Sequence, residues 1–137
     1  MRISIGYEVK SWILITYYKT LYIMKETIFI DKKVTMHQGI TDEEGVVIYK
    51  EILSLLNDGK NVELDFHGII MMTTAFLNVV IGQLYKDYTS EQLKGRIIFN
   101  NISEADALRI KKVADNAKLF YKDQDSFTQN VEEIING

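Results

Sequence analysis

The chain has 137 residues with 16 basic and 19 acidic side chains, a net charge of −3. That length suits one domain with a core of its own, and the near balance of charge leaves neither the basic footprint of a nucleic-acid binder nor a pull toward an anionic membrane. Cysteine is absent, which excludes disulfides, thiolate metal sites and cysteine nucleophiles.

Residues 1–24 are rich in Tyr, Ile and Thr and read as an extended strand or strand pair. Within them the run SWILITYYKTLYIM is apolar, but Lys19 interrupts it and it is shorter than the ~20 residues of a membrane span. Arg2 and Lys10 would suit the basic start of a signal peptide, yet no A-x-A-like site follows. A cytoplasmic location is therefore the expectation. Met24 would serve as an alternative start, which divides the chain into a strand-rich N-terminal extension, 1–23, and a domain, 24–137. Limited proteolysis near Met24 distinguishes a folded extension from a dispensable one.

After Met24, Thr27, Ile28, Phe29, Ile30 and Val34 read as strand. Thr41-Asp42-Glu43-Glu44 has the form of a capping box. Tyr49, Ile52, Leu53 and Leu56 then recur at helical spacing, and Asn57-Asp58-Gly59 supplies a stop, so a helix spans about 42–57. Val62, Leu64 and Phe66 alternate with polar residues in a half-buried or central strand. His67-Gly68 turns the chain, Ile69 returns to the core, and Thr73 or Thr74 caps a helix whose apolar face is Phe76, Leu77, Val79, Val80 and Leu84. A short strand covers Arg96, Ile97, Ile98 and Phe99. Ser103 opens a third helix, Phe120 and Tyr121 suggest a brief last strand, and 126–135 a final helix with Phe127, Val131, Ile134 and Ile135 as its apolar side. Strands alternating with helices predict an α/β sheet with parallel neighbours and crossover helices.

At VELDFHGIIMMTTAFLNVVIGQLY the sequence resembles the STAS-like domains, small bacterial relatives of anti-sigma factor antagonists. The family carries a strand ending in Asp-Phe-x-Gly-Val and, a few residues later, a Ser-Phe pair that opens a helix. Asp65, Phe66 and Gly68 match, Ile69 stands for the Val and Phe76 for the Phe. Arg96 to Phe99, followed by Asn100-Asn101-Ile102-Ser103, is similar to the family's next strand and turn. The resemblance covers about residues 24–122. It implies an α/β fold with a single layer of mixed β-sheet and helices packed against it. It also implies a non-catalytic regulatory module that docks a protein partner, a histidine-kinase-type ATPase or an anti-sigma factor, through the region 67–80. The residues implied are His67, Gly68, Met71, Met72, Ala75 and Phe76.

In that scheme a Ser or Thr at the helix start is phosphorylated and binding is switched off. Here Ala75 precedes Phe76 where the family tends to have Ser. Thr74 and Thr73 are then the candidate phosphoacceptors in a shifted register, although plain helix capping is the favoured reading of both; without a switch the domain binds constitutively.

Asp65 and His67 at a strand end raise a second reading, a small enzyme or ligand-binding domain, since open α/β sheets place such residues there. The plainer account makes Asp65 a turn former and His67 a surface residue. His37 reads as alone in a loop, and no spacing suggests a metal site or a cofactor. Met71-Met72 reads either as core filling beside a helix start or as an exposed, adaptable contact pair, and the resemblance favours contact. A homodimer pairing N-terminal edge strands is a further expectation.

Overall fold

The computed structural model describes residues 11–16 and 24–136. Residues 11–16 form a short helix, α1, with Trp12 to Ile15 exposed. This corrects the strand expectation at that point; its remainder, in 1–10 and 17–23, lies outside the described residues. From Met24 the elements follow in order: β1 (Lys25–Phe29), a 3-10 turn (Ile30–Lys33), β2 (Gln38–Gly39), α2 (Asp42–Asn57), β3 (Asn61–Asp65), β4 (Met71–Met72), α3 (Thr74–Val80), a second 3-10 segment (Gly82–Lys86), α4 (Ser90–Leu93), β5 (Ile97–Asn100) and α5 (Glu104–Asn136).

The chain is an α/β fold. β3 is the centre of a three-stranded sheet, with β1 and β5 on its two sides, and β2 and β4 form a separate two-stranded ribbon. Every described pairing is parallel, as crossover helices require. The register aligns Ile28 with Leu64 and Leu64 with Phe99. Because side chains alternate along a strand, this sends one row inward and the next outward. The inward row meets the helices. Ile28, Ile30, Val62, Leu64 and Phe66 join Ile48, Ile52 and Leu56 of α2, Phe76, Leu77 and Val80 of α3, and Ile110 and Val113 of α5 in one core. The outward row is polar at its centre. Glu63 pairs with Lys25 at 2.7 Å and accepts from Asn100 Nδ2 at 2.8 Å.

α2 begins where expected, and Thr41 Oγ1 accepts from Glu44 N–H at 3.3 Å. The Glu44 carboxylate does not return to the cap; it accepts from the Thr35 hydroxyl at 2.6 Å. The capping box is thus half formed, and the complete one lies at Thr89 and Gln92, where both reciprocal bonds are made. Gly59 ends α2 at φ +80, the left-handed geometry expected of a helix stop.

The C-terminal third differs from the periodic reading. Phe120 and Tyr121 form no strand, because α5 runs unbroken for 33 residues. Their local β-propensity gives way to the helix on which Ile110, Val113 and Ala117 are already buried. The expected final helix at 126–135 is the continuation of this one.

Candidate functional site

The carboxyl ends of the parallel strands β1, β3 and β5 lie at one end of the sheet. After β3, Asp65 Oδ1 accepts from the His67 backbone N–H at 2.9 Å and from Asn101 Nδ2 at 3.0 Å. The first bond closes a turn over two residues, the Asp turn read from the sequence. Gly68 adopts φ +89, a left-handed conformation that favours glycine, and a Cβ there would come within 2.8 Å of Asp31 Oδ2, which would have to shift. Asp31 in turn accepts from or pairs with His37 Nδ1 at 2.6 Å. His37, read from sequence as alone, therefore has a partner six residues away, and it reaches it from a left-handed backbone at φ 60.

Hydrogen bonds from Asn101, then from the His67 backbone, hold the Asp65 carboxyl below the usual carboxylate range. The Asp65 pKa in the folded state thus lies below its unfolded value, so its ionised form stabilises the fold. That contribution is complete above the unfolded pKa, near 4, and is lost as the pH falls through the lower, folded value. Thermal melts of wild type and Asp65→Asn should therefore diverge above about pH 4 to 5 and converge in stronger acid. A difference constant with pH would remove the carboxylate from this role.

Beyond Gly68 the chain builds the ribbon. Ile70 N–H donates to the His37 carbonyl at 2.8 Å, Thr73 N–H donates to the Gly39 carbonyl at 2.9 Å, and β4 pairs with β2 between them. Alternation on this short ribbon divides the methionines. Met72 is 1% exposed and Met71 45%. The contact pair expected from sequence is therefore one exposed and one core residue. Phe76 is likewise 1% exposed, and a Cβ on Gly39 would meet its ring at 2.6 Å. Met72 and Phe76 support the surface from beneath and do not form it.

The surface itself is His67, Gly68, Met71, Thr74 and Ala75, all exposed, joined by three residues the sequence reading passed over: Met36 at 76%, Ile70 at 72% and Ile40 at 41% exposure. Four apolar side chains, Met36, Ile40, Ile70 and Met71, thus rise from one small ribbon or its immediate flanks. The run IIMM was visible as apolar, but which members face out is decided by pairing in strands of two residues, too short to leave a periodic signal.

The two threonines are also separated. Thr73 is the N-cap of α3, its hydroxyl oxygen accepting from Phe76 N–H at 3.1 Å. Thr74 is exposed, and its Oγ1 accepts from Arg109 Nη2 at 3.3 Å. Arg109 also pairs with Asp106 at 3.1 Å. No sequence pattern links Thr74 to a guanidinium 35 positions away.

Among the described residues no group of three or more His, Asp or Glu is arranged to hold a metal, and no helix is long and apolar enough to cross a membrane.

Residues 44–107 match the family model described as a STAS-like domain of unknown function. The match runs from the first turn of α2 to the first turn of α5 and contains β3, the β4 half of the ribbon, α3 and β5. That segment, 64 of the 137 residues, is similar to the STAS-like domain family, whose strand-end and helix-start motif the sequence resembles. No curated protein and no solved structure matches the chain.

Proposed function

We propose that this STAS-like domain is a non-catalytic, protein-docking regulatory module whose contact surface is the β2–β4 ribbon and the start of α3. The observation that carries this reading is the cluster of exposed apolar side chains, Met36, Ile40, Ile70 and Met71, beside the exposed helix start at Thr74 and Ala75. Single exposed apolar residues are ordinary on any surface, and a group of them around one ribbon supports the reading of a protein-contact patch. Methionine adds a side chain that adapts to a partner's contour. The partner is a histidine-kinase-type ATPase or an anti-sigma factor, as the resemblance to anti-sigma factor antagonists implies.

Thr74 is the regulatory position. Thr73 is committed to capping, whereas Thr74 is exposed and already touches Arg109. A phosphate on Thr74 would gain the Arg109 guanidinium as a counter-charge, in competition with Asp106, so the domain accommodates the added charge. The same charge within the docking patch would be costly to desolvate against a partner. Titration of a histidine-kinase-type ATPase from the same cell with wild type and Thr74→Glu tests this. The expected result is binding to wild type and at least a tenfold weaker dissociation constant for the variant. Equal binding by the two proteins overturns the switch, and no binding by either, together with none to an anti-sigma factor, overturns the partner class.

A further inference from the structure

Among the described residues, the buried side chains of α5 all lie in its first half. α5 has 33 residues, a length of about 50 Å at 1.5 Å per residue. Ile110, Val113, Ala114 and Ala117 are buried in the domain. Beyond them Tyr121 is half-buried, and Lys122 and residues 132–135 are exposed. Phe120, Ile134 and Ile135 are 55, 80 and 73% exposed. In a protein, helical stability comes mainly from packing of an amphipathic face and less from intrinsic propensity. The Phe, Val, Ile, Thr and Asn residues of the distal half are only moderate helix formers. A partner that covers an apolar side of this stretch would supply that packing.

The spacing of its apolar residues specifies the kind of partner. Ile110, Ala117, Gln124 and Val131 recur every seven residues. Val113, Phe120, Phe127 and Ile134 recur every seven residues three positions later. These are the a and d positions of four heptads, with one polar member. The first three of the eight are buried in the domain's own core, and the same register continues into the distal half. A sustained repeat of 3.5 residues is the pattern that a second, supercoiled helix follows. The flanking e and g positions of the distal half, Tyr121, Asp123, Thr128, Asn130 and Ile135, include a single charge. An identical helix laid alongside thus brings no like charges together, whereas Lys118, Lys122, Asp125, Glu132 and Glu133 fall on the outer positions.

We propose that residues 118–136 pair with the same segment of a second copy of this chain as a parallel, two-stranded coiled coil. Gln124 decides the orientation. In a parallel, in-register pair it meets the Gln124 of the second copy, and each amide offers both donor and acceptor. An antiparallel pair would set it against apolar d residues and leave its amide without a partner, at a cost. A single polar a position is also the device that fixes register and a two-stranded state.

The test uses the full chain. Sedimentation equilibrium between 1 and 100 µM should show a reversible dimer, on the order of the affinity of a short seam. Phe120→Glu combined with Ile134→Glu should raise its dissociation constant at least tenfold, with the thermal transition of the domain retained. Leu119→Glu is the control: Leu119 is 62% exposed but occupies an outer c position, so its replacement should leave the dimer intact. The cysteine-free chain permits a second readout. Gln124→Cys should cross-link to itself with oxidised glutathione as the electron acceptor, and Leu119→Cys should not. A monomer throughout the range would overturn the proposal. So would a dimer that survives the double substitution but is lost on removal of residues 1–23, which would assign the interface to the N-terminal segment. Equal dissociation by Leu119→Glu would overturn the register.

Discussion

Replacing Phe76 by alanine is expected to destabilise the domain by about 3–5 kcal/mol, a large share of the roughly 5–15 kcal/mol that holds a domain of this size together. The side chain is 1% exposed and joins the sheet core to two helices and the ribbon. Its ring lies in space that Gly39 leaves open and packs beside Gly45. A Cβ on Gly39 would reach it at 2.6 Å, and one on Gly45 at 3.4 Å. Deleting the ring removes its transfer free energy and leaves a cavity that the ribbon and α2, each tied by its own hydrogen bonds, fill only in part. Gly39→Ala in the wild-type background should also destabilise, by overpacking of about 1–3 kcal/mol. In the Phe76→Ala background the same added methyl enters the vacated space, so its cost should shrink or reverse. Urea denaturation of the four proteins gives the coupling energy directly, expected at about 0.5–3 kcal/mol for residues in contact. Strict additivity would show that the ring does not rest on Gly39.

This pair of residues also marks the limit of what the sequence discloses. α2 was legible because its signals are local: a threonine cap, apolar residues at helical spacing and a glycine stop fall within 19 positions, 41–59. β3 was legible for the same reason, through strict alternation at Val62, Leu64 and Phe66. β1 was recognised but ends at Phe29, where Ile30 turns inward on a 3-10 turn. The β2–β4 ribbon was not legible, since two residues per strand carry no period, and its hydrogen bonds join positions 33 residues apart. The candidate site inherits that gap. Met72 and Phe76 were read as contacts from their place in a motif, and their burial depends on Gly39 and α2, which the motif does not contain. His37 with Asp31 and Thr74 with Arg109 are likewise products of the fold. Phe120 and Tyr121 show the opposite failure: a strong local preference was present, and the length of α5 overrode it.

Substituting Asp for Ile70 is expected to abolish docking while leaving the fold intact. Ile70 is 72% exposed, so a carboxylate there stays solvated in the free domain and should change its stability by no more than about 0.5 kcal/mol. Its backbone N–H, which ties the ribbon to His37, is unaffected by the exchange. In a complex the same carboxylate would be buried among Met36, Ile40 and Met71 without a counter-charge. A truncated anchor at the centre of an interface typically costs about 2 kcal/mol, roughly thirty-fold in dissociation constant, and a buried unpaired charge costs more. Met71→Asp should behave alike, because Met71 is the neighbouring residue and is also exposed. Met72→Asp, one residue on, should instead unfold the domain, since that side chain is in the core. The three variants thus separate surface from support. Calorimetric titration against the ATPase or anti-sigma partner, paired with thermal melts, should show lost binding with a retained transition for the first two and a lost transition for the third. Full binding by Ile70→Asp would move the docking surface away from the ribbon. The neighbouring Thr74 then gains its meaning from position: a charge introduced there enters the rim of the same patch, and the effect of Thr74→Glu should be smaller than that of Ile70→Asp because Arg109 partly offsets it.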